Sequence, residues 1–196
     1  MDAFLVSTAA VAIAEIGDKT QLLAIVLAAR FKAPWPIIAG ILVATLANHG
    51  LAALAGYWIS DLLAGTWFRY ALGIGFIAMA AWALIPDKDD DGVARDSRFG
   101  VFATTTVAFF LVEIGDKTQV ATVALAAQFH QILMVTAGTT LGMMIANIPA
   151  VFFGEAATKV VPLKIIRLIA AGIFLVFGLL ILAEAAGLFS GLRSAG

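Results

Sequence analysis

The chain contains no cysteine, which excludes disulfides and thiolate metal sites. Charge is scarce as well. Asp, Glu, Lys and Arg make up 13% of the 196 residues, about half of the roughly 25% usual in a soluble domain. The formal net charge is −1, so there is no basic footprint for nucleic acid. The opening Met1-Asp2-Ala3-Phe4 lacks the basic n-region of a signal peptide, and the first apolar stretch is expected to be a retained helix. Hydrophobic residues account for 62% of the chain and mean hydropathy is +1.02. These values describe an integral membrane protein that meets lipid over most of its surface.

Six apolar stretches are long enough to cross a bilayer, at about 20 residues each: Phe4 to Ala29, Trp35 to Ile59, Trp67 to Ile85, Val101 to Ala127, Ile132 to Gly154 and Leu163 to Leu188. The two halves repeat at an offset of 98, which is 113 minus 15. Glu15-Ile16-Gly17-Asp18-Lys19-Thr20 returns as Glu113-Ile114-Gly115-Asp116-Lys117-Thr118, followed by Gln21 and Gln119. Ala39-Gly40 matches Ala137-Gly138, Arg69 matches Arg167, Phe76 matches Phe174, and Ala47-Asn48 matches Ala146-Asn147 after a slip of one residue. A three-helix unit delivers the chain to the far side of the membrane, so its copy inserts upside down. The expected fold is therefore all-α, with six transmembrane helices as two inverted three-helix repeats. Residues 1–86 form the first repeat, 87–98 an acidic linker and 99–196 the second repeat. Most Lys and Arg residues fall on the side that carries the linker. The positive-inside rule then makes the linker cytoplasmic and places both termini outside.

Ionised side chains at membrane depth are costly and mark ion or proton pathways. Each motif supplies two carboxylates and one ammonium. On a continuous helix, Glu15 and Asp18 share a face, as do Glu113 and Asp116; a break at Gly17 or Gly115 would still leave them close. Together the motifs offer four carboxylates and two ammonium groups, a formal charge of −2 that one divalent cation or two protons would neutralise. Crowded carboxylates titrate as a coupled set, so exchange of metal for protons is the expected chemistry. Oxygen donors suit Mg²⁺, Ca²⁺ and Mn²⁺. The expected metal ligands are Glu15, Asp18, Glu113 and Asp116. Thr20, Thr118, Gln21, Gln119, Asn48 and Asn147 are candidates for neutral support, and Lys19 and Lys117 for tethering the acids.

The doubled Glu-x-Gly-Asp-Lys-Thr motif in a 3+3 helix layout resembles the GDT family of Mn²⁺/Ca²⁺:H⁺ antiporters, over nearly the whole chain. That family includes MneA-type bacterial manganese exporters and the Golgi manganese/calcium transporters. Both motif copies are complete here. The resemblance implies export of Mn²⁺, with Ca²⁺ as a second cargo, against inward proton flow. It implies no prosthetic group, only the transported divalent ion and H⁺. The short linker looks like that of a bacterial member, in the cytoplasmic (inner) membrane.

Other features carry blander readings. Asp87-Lys88-Asp89-Asp90-Asp91-Gly92 mimics the start of an EF-hand loop, but its twelfth position is Arg98 rather than Glu; a solvated linker fits better. His49 has Ile148 at its counterpart position, so symmetry favours packing over a relay or ligand role. Gly138 and Gly142 form a GxxxG pair, expected to bring two helices close. Two other functions compete. A divalent-cation channel would also use acidic groups, but lysines in the cluster would obstruct it. An intramembrane aspartyl hydrolase would pair Asp18 with Asp116, yet Glu15 and Glu113 occupy the first position of the Gly-x-Gly-Asp pattern such enzymes carry.

Overall fold

The computed structural model describes residues 2–62, 65–85, 100–153 and 163–188. The acidic linker 87–98, with its EF-hand-like segment, lies outside the described residues. Within them the chain is helical and without strands: α1 Ala3–Glu15, α2 Lys19–Phe31, α3 Pro34–Leu62, α4 Thr66–Ala83, α5 Gly100–Glu113, α6 Lys117–Phe129, α7 Ile132–Phe153 and α8 Leu163–Ala185.

The stretches 4–29 and 101–127, which the sequence presents as single helices, are each split in two. The cause lies in the motif. Gly17 has φ 78° and Gly115 φ 76°, a conformation a right-handed helix cannot continue through and one that glycine adopts without strain. The shared-face argument for Glu and Asp therefore does not apply, because each Glu ends one helix and each Asp precedes the next. The downstream ends repeat as well. Lys32 (φ 49°) and His130 (φ 54°) sit 98 positions apart and close α2 and α6 in left-handed geometry, donating their N–H groups to the Ala28 and Ala126 carbonyls.

Packing follows the same offset. α1 lies against α7 as α5 lies against α3, while α3 meets α7 and α4 meets α8. A Cβ at Gly138 would stand 2.5 Å from the Phe4 carbonyl oxygen and 3.0 Å from Ser7 Cβ. One at Gly40 would stand 2.9 Å from the Phe102 carbonyl oxygen and 2.8 Å from Thr105 Cβ. Phe4 and Phe102, like Ser7 and Thr105, are 98 apart, so the two close contacts are copies of one another. Phe76 and Phe174 are each other's counterparts and meet directly between α4 and α8, with ring centroids 6.4 Å apart.

Among the described residues, three helical segments are long and apolar enough to cross a membrane: Pro34–Ser60, Ile132–Phe153 and Leu168–Ala185. α1 and α5 are apolar but short. A 13-residue helix rises about 20 Å, so a half-helix needs its partner beyond the break to traverse a hydrocarbon core of roughly 30 Å. Large apolar side chains such as Leu5, Leu133 and Phe153 face outward, and Trp35, Trp58 and Trp67 are exposed near helix ends, where indole rings favour the membrane interface. The protein is an integral membrane protein.

Candidate cation site

The two helix breaks position the acids. Glu15 is the last residue of α1 and Glu113 the last of α5. Asp18 and Asp116 occupy the N-cap positions of α2 and α6, where a carboxylate suits the positive end of a helix. Asp18 N–H donates to the Glu15 carbonyl and Asp116 N–H to the Glu113 carbonyl, both at 3.1 Å. Irregular backbone at membrane depth needs its polar groups satisfied within the protein. The residue after each motif does this: Gly17 N–H donates to Gln21 Oε1 at 2.8 Å and Gly115 N–H to Gln119 Oε1 at 2.7 Å. The sequence offered these glutamines as neutral support for an ion, and the structure engages their oxygens as backbone braces. A Gln four residues after a Gly that interrupts an apolar run was the available signal.

The breaks bring the motifs together. Glu15, Glu113 and Asp116 are all buried, and each offers one carboxylate oxygen within 4.8 Å of the others. The Thr118 hydroxyl donates to Glu113 Oε1 at 2.5 Å and stands 3.3 Å from Asp116 Oδ2. Lys19 reaches across from the first motif, its Nζ 3.1 Å from Asp116 Oδ1. Lys117 donates instead to the Ile85 carbonyl, just past α4, at 2.9 Å. Asp18 is buried but outside the compact trio, which draws two acids from the second motif and one from the first. The Thr20 hydroxyl is buried without a hydrogen-bond partner. Three carboxylates this close call for positive charge beyond one ammonium, and a metal cation or protons can supply it.

The one-residue slip that pairs Asn48 with Asn147 in the sequence is not present in the structure. α3 and α7 keep the offset of 98 through Gly40 and Gly138, and Gln119 Nε2 donates to Asn48 Oδ1 as Gln21 Nε2 donates to the Ala146 carbonyl. Asn48 therefore corresponds to Ala146, and His49 to Asn147. Asn48 is fully engaged: Nδ2 donates to the Phe110 carbonyl at 2.9 Å and Oδ1 accepts from Gln119 Nε2 at 2.8 Å. Phe110 lies in the last turn of α5, where carbonyls have no partner within the helix, so Asn48 closes the end of a broken helix. Asn147 lies beside Glu15. Its amide donates within its own helix to the Met143 carbonyl at 3.0 Å, and its Oδ1 has no hydrogen-bond partner. His49, read from the sequence as a packing residue, is fully buried with Nε2 3.6 Å from Glu113 Oε1. The sequence reading misses it because the assumed slip sets Ile148 opposite it, whereas in the structure His49 lies by Glu113 as Asn147 lies by Glu15.

Comparison with known proteins identifies the family. The family described as divalent cation/proton antiporter GDT1 matches residues 3–91 and 101–188. A Vibrio cholerae serotype O1 protein named "Putative manganese exporter" is 48% identical over 180 residues, covering 91% of this chain and 90% of its own. The "GDT1-like protein sll0615" of Synechocystis is 27% identical over 198 residues, covering 90% of this chain and 95% of its own. No solved structure matches. The chain belongs to the GDT1 family of divalent cation/proton antiporters, and is a membrane transporter rather than an enzyme.

Proposed function

We propose that the chain exports Mn²⁺ from the cytoplasm in exchange for protons, with Ca²⁺ as a second cargo, through a midplane site built from both Glu-Ile-Gly-Asp-Lys-Thr motifs. The observation that carries this is the buried meeting of Glu15, Glu113 and Asp116, with one carboxylate oxygen from each within 4.8 Å of the other two. Asp18 joins them as the fourth acid when the ion binds. Thr118 holds Glu113 and Asp116 in register, and Lys19 occupies Asp116 when no cation does. Lys117, Thr20, Gln21, Gln119, Asn48 and Asn147 support the two breaks and their acids. Hard oxygen donors fit Mn²⁺ and Ca²⁺, and the likeness to a Vibrio protein named for manganese export favours Mn²⁺. One divalent ion against two protons balances the motif charges.

The architecture proposed with it is six crossings in two inverted three-helix repeats, residues 1–86 and 99–196, joined by a cytoplasmic linker at 87–98. Both termini lie outside a bacterial inner membrane. The split stretches α1–α2 and α5–α6 count as one crossing each. Support comes from the offset of 98 shared by the glycine breaks, the left-handed caps and the Gly40 and Gly138 contacts. Broken helices meeting at a repeat interface are how secondary transporters expose backbone and acids to an ion at mid-depth.

Metal uptake into inverted vesicles with a simultaneous pH readout tests the proposal. Wild type is expected to move Mn²⁺ in and protons out, and Asp18→Asn or Asp116→Asn to abolish exchange in a folded protein. Exchange retained in both variants would remove these aspartates from the site. Metal flux without coupled proton flux would favour a channel.

A further inference from the structure

We propose that His49 is a nitrogen ligand of the transported cation and tilts the site towards Mn²⁺ over Ca²⁺ and Mg²⁺. The proposal rests on the motif carboxylates being the oxygen ligands. His49 is on α3, is 0% exposed, and among the described residues neither ring nitrogen has a hydrogen-bond partner. A buried imidazole kept for packing alone normally satisfies at least one nitrogen. This one instead directs Nε2 to within 3.6 Å of Glu113 Oε1, on one edge of the acidic trio. The separation exceeds hydrogen-bond distance. It matches the spacing of adjacent ligand atoms around one ion, about 3–3.7 Å when each lies 2.1–2.6 Å from the metal.

The surroundings fix the ring in that role. The neighbouring Asn48 is locked by hydrogen bonds to Phe110 and Gln119, so the backbone that carries His49 is pinned to the end of α5, where Glu113 sits. The Thr118 hydroxyl donates to the same Glu113 oxygen, so that oxygen is held in place 3.6 Å from Nε2. In the register shared by Gly40 and Gly138, the pseudo-equivalent position holds Asn147, which lies beside Glu15 with its Oδ1 unpartnered, so the nitrogen edge of the site has an amide oxygen as its counterpart. Oxygen-only cages do not separate Mn²⁺ from Ca²⁺ by donor type. Imidazole does, because Ca²⁺ and Mg²⁺ take oxygen ligands whereas first-row transition metals accept nitrogen. His49 thus supplies the discrimination that four carboxylates lack.

The test uses the purified full-length protein loaded with Mn²⁺. Pulsed electron paramagnetic resonance should show ¹⁴N modulation of the bound Mn²⁺. Wild type without such modulation overturns the proposal directly, whatever any variant does. His49→Gln keeps a polar side chain and substitutes an oxygen donor. It should lose the modulation and weaken Mn²⁺ binding roughly tenfold or more, leaving Ca²⁺ binding unchanged or tighter. Equal loss for both ions, or unchanged modulation in the variant, would make His49 structural. Mn²⁺ binding that survives Glu113→Gln and Glu15→Gln undiminished would instead bring down the carboxylate site, and is read separately from the nitrogen signal.

Discussion

Lys19→Met tests whether the site carries its own competitor for the cargo. Lys19 Nζ lies 3.1 Å from Asp116 Oδ1, and its side chain is only 19% exposed. At an effective dielectric of about 20, two unit charges at that separation attract by roughly 5 kcal/mol. A cation entering the trio has to take Asp116 from the ammonium, so the wild type surrenders part of this attraction on binding. Much of the loss is offset: the released ammonium regains hydration, and Asp116 gains the ion. A remainder of about 1–2 kcal/mol corresponds to a factor of roughly 5–30 in affinity. Lys19→Met is therefore expected to bind Mn²⁺ that much more tightly by isothermal titration calorimetry. Its metal-free form should melt lower than wild type in detergent, since an uncompensated buried acid remains, and saturating Mn²⁺ should close most of that gap. Turnover in vesicles should fall because release slows. Lys19→Arg, which keeps the charge, should stay near wild type in affinity. Equal or weaker Mn²⁺ binding by a folded Lys19→Met protein would refute the competition.

The remaining predictions concern the scaffold. A Cβ at Gly115 would meet nothing within 4 Å, so Gly115→Ala should cost only the left-handed backbone penalty of about 1–2 kcal/mol in denaturant-induced unfolding, with Gly115→Asn recovering part of it; a stabilised Ala variant would disprove the break. Gly138→Ala and Gly40→Ala push a Cβ into the backbone or side chains of α1 and α5 and should each lose about 1–3 kcal/mol. Gly75→Ala, with no neighbour within 4 Å, should instead gain up to about 1 kcal/mol from helix propensity; the same thermal melts distinguish them. Asn48→Leu strands the Phe110 carbonyl and the Gln119 amide at about 1–3 kcal/mol each, so it should destabilise the protein more than Asn147→Leu. Equal melting of the two asparagine variants would show that their hydrogen bonds do not differ in weight.

The sequence showed the twin acidic motifs, their offset of 98 and the close approach around Gly138, because identity in two places is visible without coordinates. Membership of the cation/proton antiporter family followed from those same residues and is supported by the likeness to known proteins. The helix breaks were harder to read. An apolar run of the length of 4–29 looks continuous, and a single glycine inside a helix is commonly tolerated; only the φ of Gly17 and Gly115 decides otherwise. The bracing by Gln21 and Gln119 depends on that break and was hidden with it. His49 stayed hidden for a different reason. Symmetry was the main guide to function, and a pairing slipped by one residue set His49 against Ile148 rather than against Asn147, which lies by Glu15 as His49 lies by Glu113.

The departures from symmetry therefore carry chemical information of their own. A strict duplicate would offer the ion two equivalent edges and a site centred between the motifs. Here the backbone repeats closely, in the glycine breaks, the caps at Lys32 and His130, and the paired contacts of Gly40 and Gly138. The side chains around the acids do not. The compact trio takes two acids from the second motif, Asn48 braces a helix end where the second half has Ala146, and His49 stands where it has Asn147. A transporter needs matching halves so that two states of similar energy can face opposite sides of the membrane, and backbone geometry supplies that. Its preference for one ion over another is set by the type, number and geometry of the donors, and these can differ between halves so long as the helices still pack. Conserving the frame while varying the shell lets a duplicated fold keep its mechanism and change its selectivity.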